Sequence, residues 1–359
     1  MAAEAPRLAA VRGSLAELGV DALLVTHLPN LRWLTGFTGS AGIVVLTADR
    51  LTLITDFRYA VQAPQEVGSE VEVVIARSDV WGRVQQQLDG VARVGYESQV
   101  MTTQRASKLG KSLPRVQWVA TEELVETARA VKDDDEVAAI REAAALAHSA
   151  LTELLATIRV GEREIDVAAR LEAALRVRGS EWHPFQTIVA SGPRSALPHA
   201  HTTDRVLQRG DLLLIDFGAQ LRGYCCDISR TVVMGQPDER QRNIHALVEE
   251  AQLRARSHIR AGMTGREADA LARDLIASRG YGEAFGHSLG HGLGLEIHEA
   301  PRLAMTSEAP LPVGAVVTIE PGIYLPGWGG VRLEDDVWLS PDGAVLLTDG
   351  RTELLALDT

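Results

Sequence analysis

The stretch GDLLLIDFG at residues 210–218 returns in altered form as GAVVTIEPG at residues 314–322. Each copy has the pattern of a short apolar strand that ends in a carboxylate, Asp216 or Glu320, and runs into a glycine-containing turn. The two carboxylates are 104 residues apart. Two copies of a unit of about 100 residues indicate a duplicated domain and not a solenoid of many short repeats.

The repeat extends upstream of these strands. The stretch IRVGEREID at 158–166 resembles IRAGMTGREAD at 259–269, with two residues inserted. Each opens an apolar-periodic stretch that predicts a helix, at 167–177 and at 270–278. Each half therefore predicts helices, an apolar strand, a turn and a return strand. Two such halves can pack about a pseudo-twofold axis, which would bring the two strand ends face to face.

The chain length predicts two domains, because 359 residues exceed what one hydrophobic core usually supports. The first 125 residues alternate apolar runs with helical stretches, which predicts a small α/β domain with strands at 21–26, 43–46, 51–54, 71–75 and 91–95. Thr121 and Asp133 each precede a carboxylate in the manner of a helix N-cap, and a long helix is predicted to follow Asp133. We place the domain boundary between these two residues.

Composition excludes several classes of protein. The 36 basic and 48 acidic residues give a net charge of −12, which argues against a nucleic-acid partner. No apolar run approaches the roughly 18 residues that a bilayer span needs. Charged residues at Glu4, Arg7, Arg12 and Glu17 make the N-terminus unlike a signal peptide. Cys225 and Cys226 are neighbours and cannot form a disulfide framework. We expect a cytoplasmic protein with no membrane association.

Four carboxylates follow the strands of the two halves. Asp227 comes 11 residues after Asp216, and Glu334 comes 14 residues after Glu320. A hairpin brings residues on facing strands to about 5 Å, so each half would present a pair of carboxylates to one shared cavity. Four buried carboxylates repel one another, and divalent metal ions are the simplest compensation. The cations nearby in sequence are Arg222, Arg230 and Arg332.

Three histidines lie close in sequence to the second pair of carboxylates, in the segment GHSLGHGLGLEIHE at 286–299. Its glycines argue against a helix, so we expect a loop or a strand edge, and the H-E-x-x-H pattern is absent. One imidazole with four carboxylates suits two ions chosen from Mn²⁺, Co²⁺, Fe²⁺ and Zn²⁺. Strand-end aspartates and glycine-rich loops are also common in ordinary turns, so the spacing alone leaves both interpretations open. The shared placement in the two halves favours the metal site.

Several short motifs of the C-terminal half match a known family in combination. They are Ile215-Asp-Phe-Gly218, Cys226-Asp-Ile-Ser-Arg-Thr231, Gly290-His-Gly-Leu-Gly294, Ile297-His-Glu299, Ile319-Glu-Pro-Gly322 and Gly330-Val-Arg-Leu-Glu-Asp335. Together they resemble the M24 pita-bread metallopeptidases, and most closely the branch of Xaa-Pro aminopeptidase (aminopeptidase P) and Xaa-Pro dipeptidase (prolidase). This resemblance runs from about Thr121 to the end of the chain.

The N-terminal half resembles the non-catalytic domain of the same branch, through Tyr59 and the glycine-rich run at 35–42. That run lacks the lysine of a phosphate-binding loop, so we interpret it as a turn. Simple methionine aminopeptidases lack such a domain and are disfavoured. The resemblance implies an α+β fold, with a creatinase-like α/β domain at 1–125 and a duplicated pita-bread catalytic domain at 126–359.

The resemblance also implies a metal-binding role for five residues. Asp227 and Glu334 match the carboxylates that bridge two metal ions in the family. Asp216 would complete the shell of one ion, and His291 with Glu320 the shell of the other. Creatinase-like relatives that work without metal have lost some of these residues, and all five types are present here.

Further residues match active-site positions of the family. His199 resembles a histidine near the leaving side of the substrate, and His298 resembles the residue that hydrogen-bonds the scissile carbonyl oxygen. His287 and Arg332 match positions of the proline-specific branch. Glu320 is also the best candidate for relaying a proton to the departing nitrogen.

The implied activity is that of a metal-dependent Xaa-Pro aminopeptidase, which releases the residue before proline by attack of a hydroxide held between two divalent ions. We prefer it over the alternative, an Xaa-Pro dipeptidase, because the run at 35–42 looks more like aminopeptidase P. A third alternative is a non-catalytic pita-bread binding protein, which the complete ligand set disfavours. The expected ions are Mn²⁺, with Co²⁺ or Zn²⁺ as alternatives. The expected partners are peptides with proline at the second position and further copies of the chain in a homodimer or higher homo-oligomer.

Overall fold

The computed structural model of the protein describes residues 6–357. Glu4, one of the charged residues that made the N-terminus unlike a signal peptide, lies outside this range. The chain divides into two compact units, Met1–Arg129 and Ala130–Thr359. Between residues 6 and 357 we find no helix with the length and apolar character that a membrane crossing needs.

The N-terminal unit is a six-stranded sheet with helices, in the strand order β4-β3-β2-β1-β5-β6. The pairs β1/β2 and β2/β3 are antiparallel, and the pairs β3/β4, β1/β5 and β5/β6 are parallel. The strands are β1 Ala22–Val25, β2 Ile43–Thr47, β3 Leu51–Asp56, β4 Val71–Ala76, β5 Arg93–Glu97 and β6 Gln117–Thr121. The helices are α1 Pro6–Glu17, α2 Leu28–Thr35, α3 Gln62–Glu66, α4 Val80–Gln87, α5 Thr103–Ser112 and α6 Leu124–Arg129.

One expectation for this unit needs correction, and helix α2 was not predicted. Thr121 is the last residue of β6 and not a helix N-cap, because its hydroxyl donates to the carbonyl of Tyr96 on the neighbouring strand. The glycine-rich run at 35–42 begins at the last residue of this unpredicted helix, and its first glycine, Gly36, ends the helix in the left-handed conformation at φ 79°. The Tyr59 hydroxyl contacts this run at the backbone and side chain of Ser40.

The C-terminal unit contains two main sheets, in the orders β19-β11-β8-β7 and β13-β12-β14-β17-β18. Its helices are α7 Asp134–Leu155, α8 Glu164–Val177, α9 Glu239–His258 and α10 Gly265–Ser278. The strands of its first half are β7 Ile188–Ser191, β8 Leu212–Phe217, β9 Gln220–Leu221, β10 Tyr224–Cys225 and β11 Ile228–Met234. The later strands are β12 Gly290–Gly292, β13 Glu299–Leu303, β14 Val316–Ile319, β15 Gly322–Leu325, β16 Gly329–Arg332, β17 Asp335–Ser340, β18 Gly343–Leu346 and β19 Ala356–Leu357. Short 3₁₀ helices occur at Phe57–Tyr59, Gly192–Ala196 and Gly282–Ala284.

The two halves of this unit repeat each other at the level of single hydrogen bonds. The backbone N–H of Gly161 donates to the carbonyl of Leu207, and the N–H of Gly262 donates to that of Leu311. Gly210 and Gly314, which precede β8 and β14, both have positive φ, at 86° and 90°. Glycine adopts this conformation without steric cost, so the same turn begins the same strand in each half. The strands β7, β8 and β11 thus correspond to β12, β14 and β17.

Each half has its own apolar core under its helix pair. In the first half, α7 and α8 cover the sheet, and Ala147 and Leu171 of these helices share one apolar core with Ile215 of β8. In the second half, α9 and α10 cover the other sheet around Val248 and residues of β14. Burying one such side chain stabilises the fold by about 1.5–3 kcal/mol, so the helices hold both carboxylate-bearing strands in fixed positions. The capping box of Asp133 with Glu136 starts α7 as predicted.

Candidate functional site

The first pair of carboxylates lies where β8 and β11 pair. Asp216 is opposite Ser229 in the antiparallel register, and not opposite Asp227 as a simple hairpin would have it. Asp227 precedes Ser229 by two residues. Since side chains alternate along an extended chain, Asp227 and Ser229 share one face of the sheet, and Asp216 lies on that face opposite Ser229.

The second pair lies at the ends of β14 and β17. Ile319 is opposite Asp335, so Glu320 and Glu334 come directly after and before this last paired position. The two halves meet at this point: the N–H of Glu334 donates to the carbonyl of Ser229 at 3.1 Å, and the Ser229 hydroxyl donates to Glu334 Oε2 at 2.7 Å. Four carboxylates therefore converge from two sheets.

His291 joins this cluster from β12, the strand beside β14. Its Nε2 is 3.5 Å from Glu320 Oε1 and 3.7 Å from Asp227 Oδ2. One ligand atom each from Asp227, His291 and Glu334 lie within 4.8 Å of one another. The Nδ1 atom of the same ring is 3.0 Å from the carbonyl of Gly292, which fixes the ring with Nε2 toward the carboxylates.

The electrostatics of the cluster fit divalent cations. Asp216 Oδ1 and Asp227 Oδ1 are buried and have no hydrogen-bond partner within residues 6–357. Burial, with the neighbouring carboxylates, raises the pKa of Asp227 and of Glu334 well above the ordinary range. Burial raises the pKa of Glu320 to about 8, Asp216 adding to the rise and Arg332 opposing it. A cation would satisfy the unpartnered oxygens and relieve the repulsion among the carboxylates. Several carboxylates with one imidazole are ligands that divalent ions of intermediate hardness prefer.

Arg332 is the buried cation of the cluster, and 3% of its surface is exposed. Its Nη2 donates to Asp216 Oδ2 at 2.5 Å and its Nε to Ser229 Oγ at 2.8 Å. Its Nη1 donates to the Tyr324 hydroxyl at 2.8 Å and to the carbonyl of Pro198 at 3.0 Å. The Arg332 guanidinium thus connects Asp216 on β8, Ser229 on β11 and the segment that precedes His199.

The histidines surround this cluster. His287 Nε2 lies 2.9 Å from the Tyr324 hydroxyl, and its Nδ1 lies 3.9 Å from Glu320 Oε2. His298 precedes β13, the partner of β12, and its ring centroid is 4.3 Å from that of His291. Burial lowers the pKa of His287 and of His291 to about 4. Both are therefore neutral at pH 7, the state in which an imidazole can ligate a metal or accept a hydrogen bond.

His199 is exposed and follows Pro198, whose carbonyl accepts from Arg332. Burial is the main reason that the pKa values of His287 and His298 fall, and the neighbouring His199 lowers both further. The structure therefore brings His199 near the same group of residues that the sequence singled out. Its exposure leaves the ring accessible to a molecule arriving from solution.

Two of the cations near in sequence serve other partners. Arg222 forms an exposed ion pair with Glu142 at 3.0 Å, and Arg230 donates to Asp335 at 2.8 Å. Neither compensates the four carboxylates. This strengthens the electrostatic reason for divalent cations in the cluster.

Sequence reasoning missed several residues that complete the site. Ser229 lies inside the matched stretch 226–231, and the signal that could have found it is its place two residues after Asp227, on the same face of an extended chain. Tyr324 lies two residues after Gly322, which faces Arg332 across the β15/β16 hairpin. Asp336 accepts from the backbone N–H of Asp227 at 3.1 Å, and no sequence signal singles it out.

The two cysteines are buried free thiols. Burial raises the pKa of Cys225 to about 12 and that of Cys226 well above its ordinary value. Both are therefore protonated at neutral pH and unreactive as nucleophiles.

A second group of possible ligands lies in the N-terminal unit, at His27, Glu97 and Glu126. Both oxygens of Glu97 are already hydrogen-bond acceptors. Oε2 receives the N–H groups of Thr26 and His27 at 2.7 and 2.9 Å, and Oε1 receives Asn30 Nδ2 at 2.7 Å. This carboxylate organises the chain leading into α2, and we assign it no metal.

The whole chain was compared with known protein families. Residues 138–341 match the model of metallopeptidase family M24, and residues 7–131 match the Creatinase/Prolidase N-terminal domain. The chain belongs to metallopeptidase family M24. It is a metal-dependent hydrolase, and its fold is the M24 pita-bread catalytic domain preceded by a creatinase-type domain. The family and the fold class that the sequence motifs indicated are confirmed.

Individual relatives resemble this M24 chain over almost its full length. It is 37% identical to an Xaa-Pro dipeptidase of Pyrococcus horikoshii over 94% of the chain and 95% of the relative. The structure of an Xaa-Pro dipeptidase from Bacillus anthracis is 42% identical, with a TM-score of 0.95 over 98% of this chain and 99% of that one. The structure of an X-Pro aminopeptidase from Thermotoga maritima is 38% identical, with a TM-score of 0.89 over 96% and 99%.

Proposed function

We propose that this M24 enzyme is an Xaa-Pro dipeptidase, which hydrolyses dipeptides with a C-terminal proline. One observation carries the proposal: a chain with the complete carboxylate–histidine cluster matches Xaa-Pro dipeptidases over both of its units. The comparisons favour this activity over the aminopeptidase that we preferred from the sequence. The run at 35–42, on which that preference rested, is the end of helix α2 and a turn.

Five residues would hold two divalent ions in this proposal. Asp227 and Glu334 would bridge them, Asp216 would complete the shell of one ion, and His291 with Glu320 that of the other. Mn²⁺ is the proposed ion, with Co²⁺ or Zn²⁺ as alternatives. When bound, such a pair supplies Lewis acidity toward the scissile carbonyl and lowers the pKa of a water molecule.

The protein's own residues would bind the substrate and handle the proton. His298, with His199 beside it, would donate a hydrogen bond to the scissile carbonyl oxygen, where negative charge develops. Glu320 would hold the proton destined for the prolyl nitrogen. His287 and Arg332, joined through Tyr324, would form the wall next to the proline.

The test is hydrolysis of Ala-Pro against Ala-Pro-Ala by enzyme loaded with Mn²⁺, Co²⁺ or Zn²⁺. We expect kcat/KM for Ala-Pro to exceed that for Ala-Pro-Ala by at least tenfold with the best ion. Equal or faster cleavage of Ala-Pro-Ala would contradict the dipeptidase and support the aminopeptidase.

Aminopeptidase activity remains the second candidate because of one observation, the similarity to the X-Pro aminopeptidase structure from Thermotoga maritima. Its substrates would be longer peptides with proline at the second position. The same pair of substrates distinguishes the two candidates.

We further propose that the enzyme is cytoplasmic and forms a homodimer or higher homo-oligomer, and that its domains are divided between Thr121 and Asp133. Light scattering after size-exclusion chromatography tests the assembly, since a single monomer mass would contradict it. Limited proteolysis tests the boundary, where we expect the first cleavage between those residues.

A further inference from the structure

A buried ion pair on α10 lies against the segment that carries His287. Asp269, which is 1% exposed, and Arg273 are one helical turn apart. Arg273 Nε donates to Asp269 Oδ2 at 2.5 Å and Nη2 to Oδ1 at 2.9 Å. The guanidinium carbon also lies 4.2 Å from the centroid of the Phe285 ring, within cation–π range.

This pair binds every second residue of the segment. Arg273 Nη1 donates to the carbonyl of Phe285 at 2.7 Å and Nη2 to that of His287 at 2.6 Å. The N–H of Leu289 donates to Asp269 Oδ1 at 2.9 Å. Each nitrogen of the guanidinium is thus used, and the backbone on both sides of the His287 side chain is fixed to one rigid helix.

The first half holds its own site histidine with a carboxylate on α8. Glu164 is fully buried. Its Oε1 accepts the N–H and hydroxyl of Ser191, both at 2.8 Å, and its Oε2 accepts the N–H and hydroxyl of Thr203 at 3.1 and 2.8 Å. Ser191 and Thr203 are the two ends of the segment 192–202 that contains His199. One carboxylate therefore closes the base of that loop.

The two carboxylates occupy successive turns of corresponding helices. Glu164 is the first residue of α8 and Asp269 is the fifth residue of α10, so relative to the helix starts they lie one turn apart on the same face. His199 lies after the end of β7, whereas His287 lies before the start of β12. Because of this shift by one turn, Glu164 lies at the end of β7, before His199, and Asp269 lies at the start of β12, after His287.

We propose that Asp269 with Arg273, and Glu164, are the positioning residues of His287 and His199. The proposal rests on the function assigned above, in which both histidines contact the substrate. Taking a carboxylate out of water is costly, and a hydrophobic helix position would avoid that cost. Catalysis needs its groups placed to within about 0.5 Å, and these carboxylates supply hydrogen bonds that fix backbone on both sides of each histidine.

The main test is a double-mutant cycle between Arg273→Gln and His287→Ala on the metal-loaded enzyme. Alone, Arg273→Gln should lower kcat/KM for Ala-Pro by about 10–100-fold, the usual effect of losing a supporting contact. In the His287→Ala background it should lower kcat/KM by about twofold or less, because it acts through that ring. An equal loss in both backgrounds would overturn the proposal.

Two further variants serve as controls. Arg266→Gln removes an exposed arginine of the same helix, which pairs with Glu308 at 2.9 Å, and should leave kcat/KM unchanged. Arg273→Lys keeps the charge next to Asp269 but cannot reach both carbonyls, so its activity should lie between those of the parent and Arg273→Gln. A Lys variant no better than the Gln variant would contradict the role of charge in the clamp.

Hydrogen exchange of the metal-free protein gives a readout that needs neither metal nor turnover. Arg273→Gln should speed exchange in a peptide spanning 285–291 at least tenfold, while peptides from α9 keep the parent rate. Unchanged exchange at 285–291 would overturn the positioning role. A parent enzyme inactive on both proline substrates would remove the proposed function, and this measurement would still decide the positioning.

The first half is tested with Glu164→Gln, which turns an amide NH₂ toward donors that the carboxylate accepted. We expect a 10–100-fold fall in kcat/KM for Ala-Pro in the parent and little further fall in His199→Ala. A fall of the same size in the His199→Ala background would refute the role of Glu164.

Discussion

Arg332 shows at the scale of one residue why charge alone does not describe this site. It uses Nε and both Nη atoms, on Ser229, Asp216 and Tyr324. A lysine would keep the charge but lose the planar fork that makes these contacts together. We expect Arg332→Lys to lower kcat/KM by about 10–100-fold.

Steady-state kinetics on Ala-Pro checks this expectation. Arg222→Lys is the matched control, because Arg222 pairs with Glu142 on the surface, and it should retain parent activity. Parent-like activity of Arg332→Lys would show that the fork is not needed.

His245 gives the fold a sensitivity to acid, because burial lowers its pKa to about 4. The unfolded chain has an ordinary histidine pKa of about 6.5 and takes up a proton as the pH falls below that value, whereas the folded protein does not. The free energy of unfolding should therefore fall between pH 6.5 and 4, by up to about 3 kcal/mol from this group.

Urea unfolding of metal-free protein at pH 7.5, 6 and 5 measures this effect. His245→Gln should lose less stability over that range than the parent. His258→Gln, at an exposed position of the same helix, should behave like the parent. The same pH dependence in all three proteins would contradict the assignment.

Asp335 joins several elements of the C-terminal unit behind the carboxylate–histidine cluster. It accepts from Arg230 on β11 at 2.8 Å, from Gln252 and Arg256 on α9 at 2.5 and 3.1 Å, and from Thr348 at 2.6 Å. Removing this carboxylate leaves the buried Arg230 guanidinium with only the longer ion pair to Asp349, at 3.4 Å, and with backbone carbonyls. We expect Asp335→Ala to lower the free energy of unfolding by about 3–5 kcal/mol.

Urea unfolding at pH 7.5 checks this value. Glu308→Ala, which breaks an exposed pair with Arg266, should cost less than about 1 kcal/mol. An equal and small effect of both substitutions would mean that the Asp335 network does not stabilise the fold.

Sequence patterns correctly predicted those helices and strands whose structure depends mainly on their own residues. The apolar runs at 212–215 and 316–319 are strands, and Asp133 caps α7. The cap at Thr121 was wrong, because a hydrogen bond to Tyr96, distant in sequence, holds that threonine in a strand. Helix α2 was missed, since its eight residues include a proline and carry no clear periodicity.

The duplication made the centre of the molecule predictable, whereas its surroundings were not. A shared offset indicated that Asp216 and Glu320 face one another across the two halves. The contact of Asp227 with Asp336 and the buried pair of Lys132 with Glu299 at 2.6 Å join residues more than 100 positions apart. Neither contact has a counterpart in the repeat, so no spacing along the chain predicts it.

The whole catalytic unit should respond to metal, because a cation relieves the repulsion among its buried carboxylates. An ion at about 100 times its Kd adds roughly 2.7 kcal/mol to the free energy of unfolding for each site. We expect chelation to lower the Tm of the parent by several degrees and added Mn²⁺ to restore it. In Asp227→Asn, chelation should change the Tm little, and a parent-sized shift in that variant would contradict the role of this residue.

We expect five side chains from two similar halves of the catalytic unit to hold a pair of ions. Anomalous diffraction from a crystal grown with Mn²⁺ tests it most directly. We expect two anomalous peaks, both in contact with Asp227 and Glu334, one also with Asp216 and the other with His291 and Glu320. Saturating Mn²⁺ with no peak among these side chains, or with peaks only elsewhere in the molecule, would contradict the account.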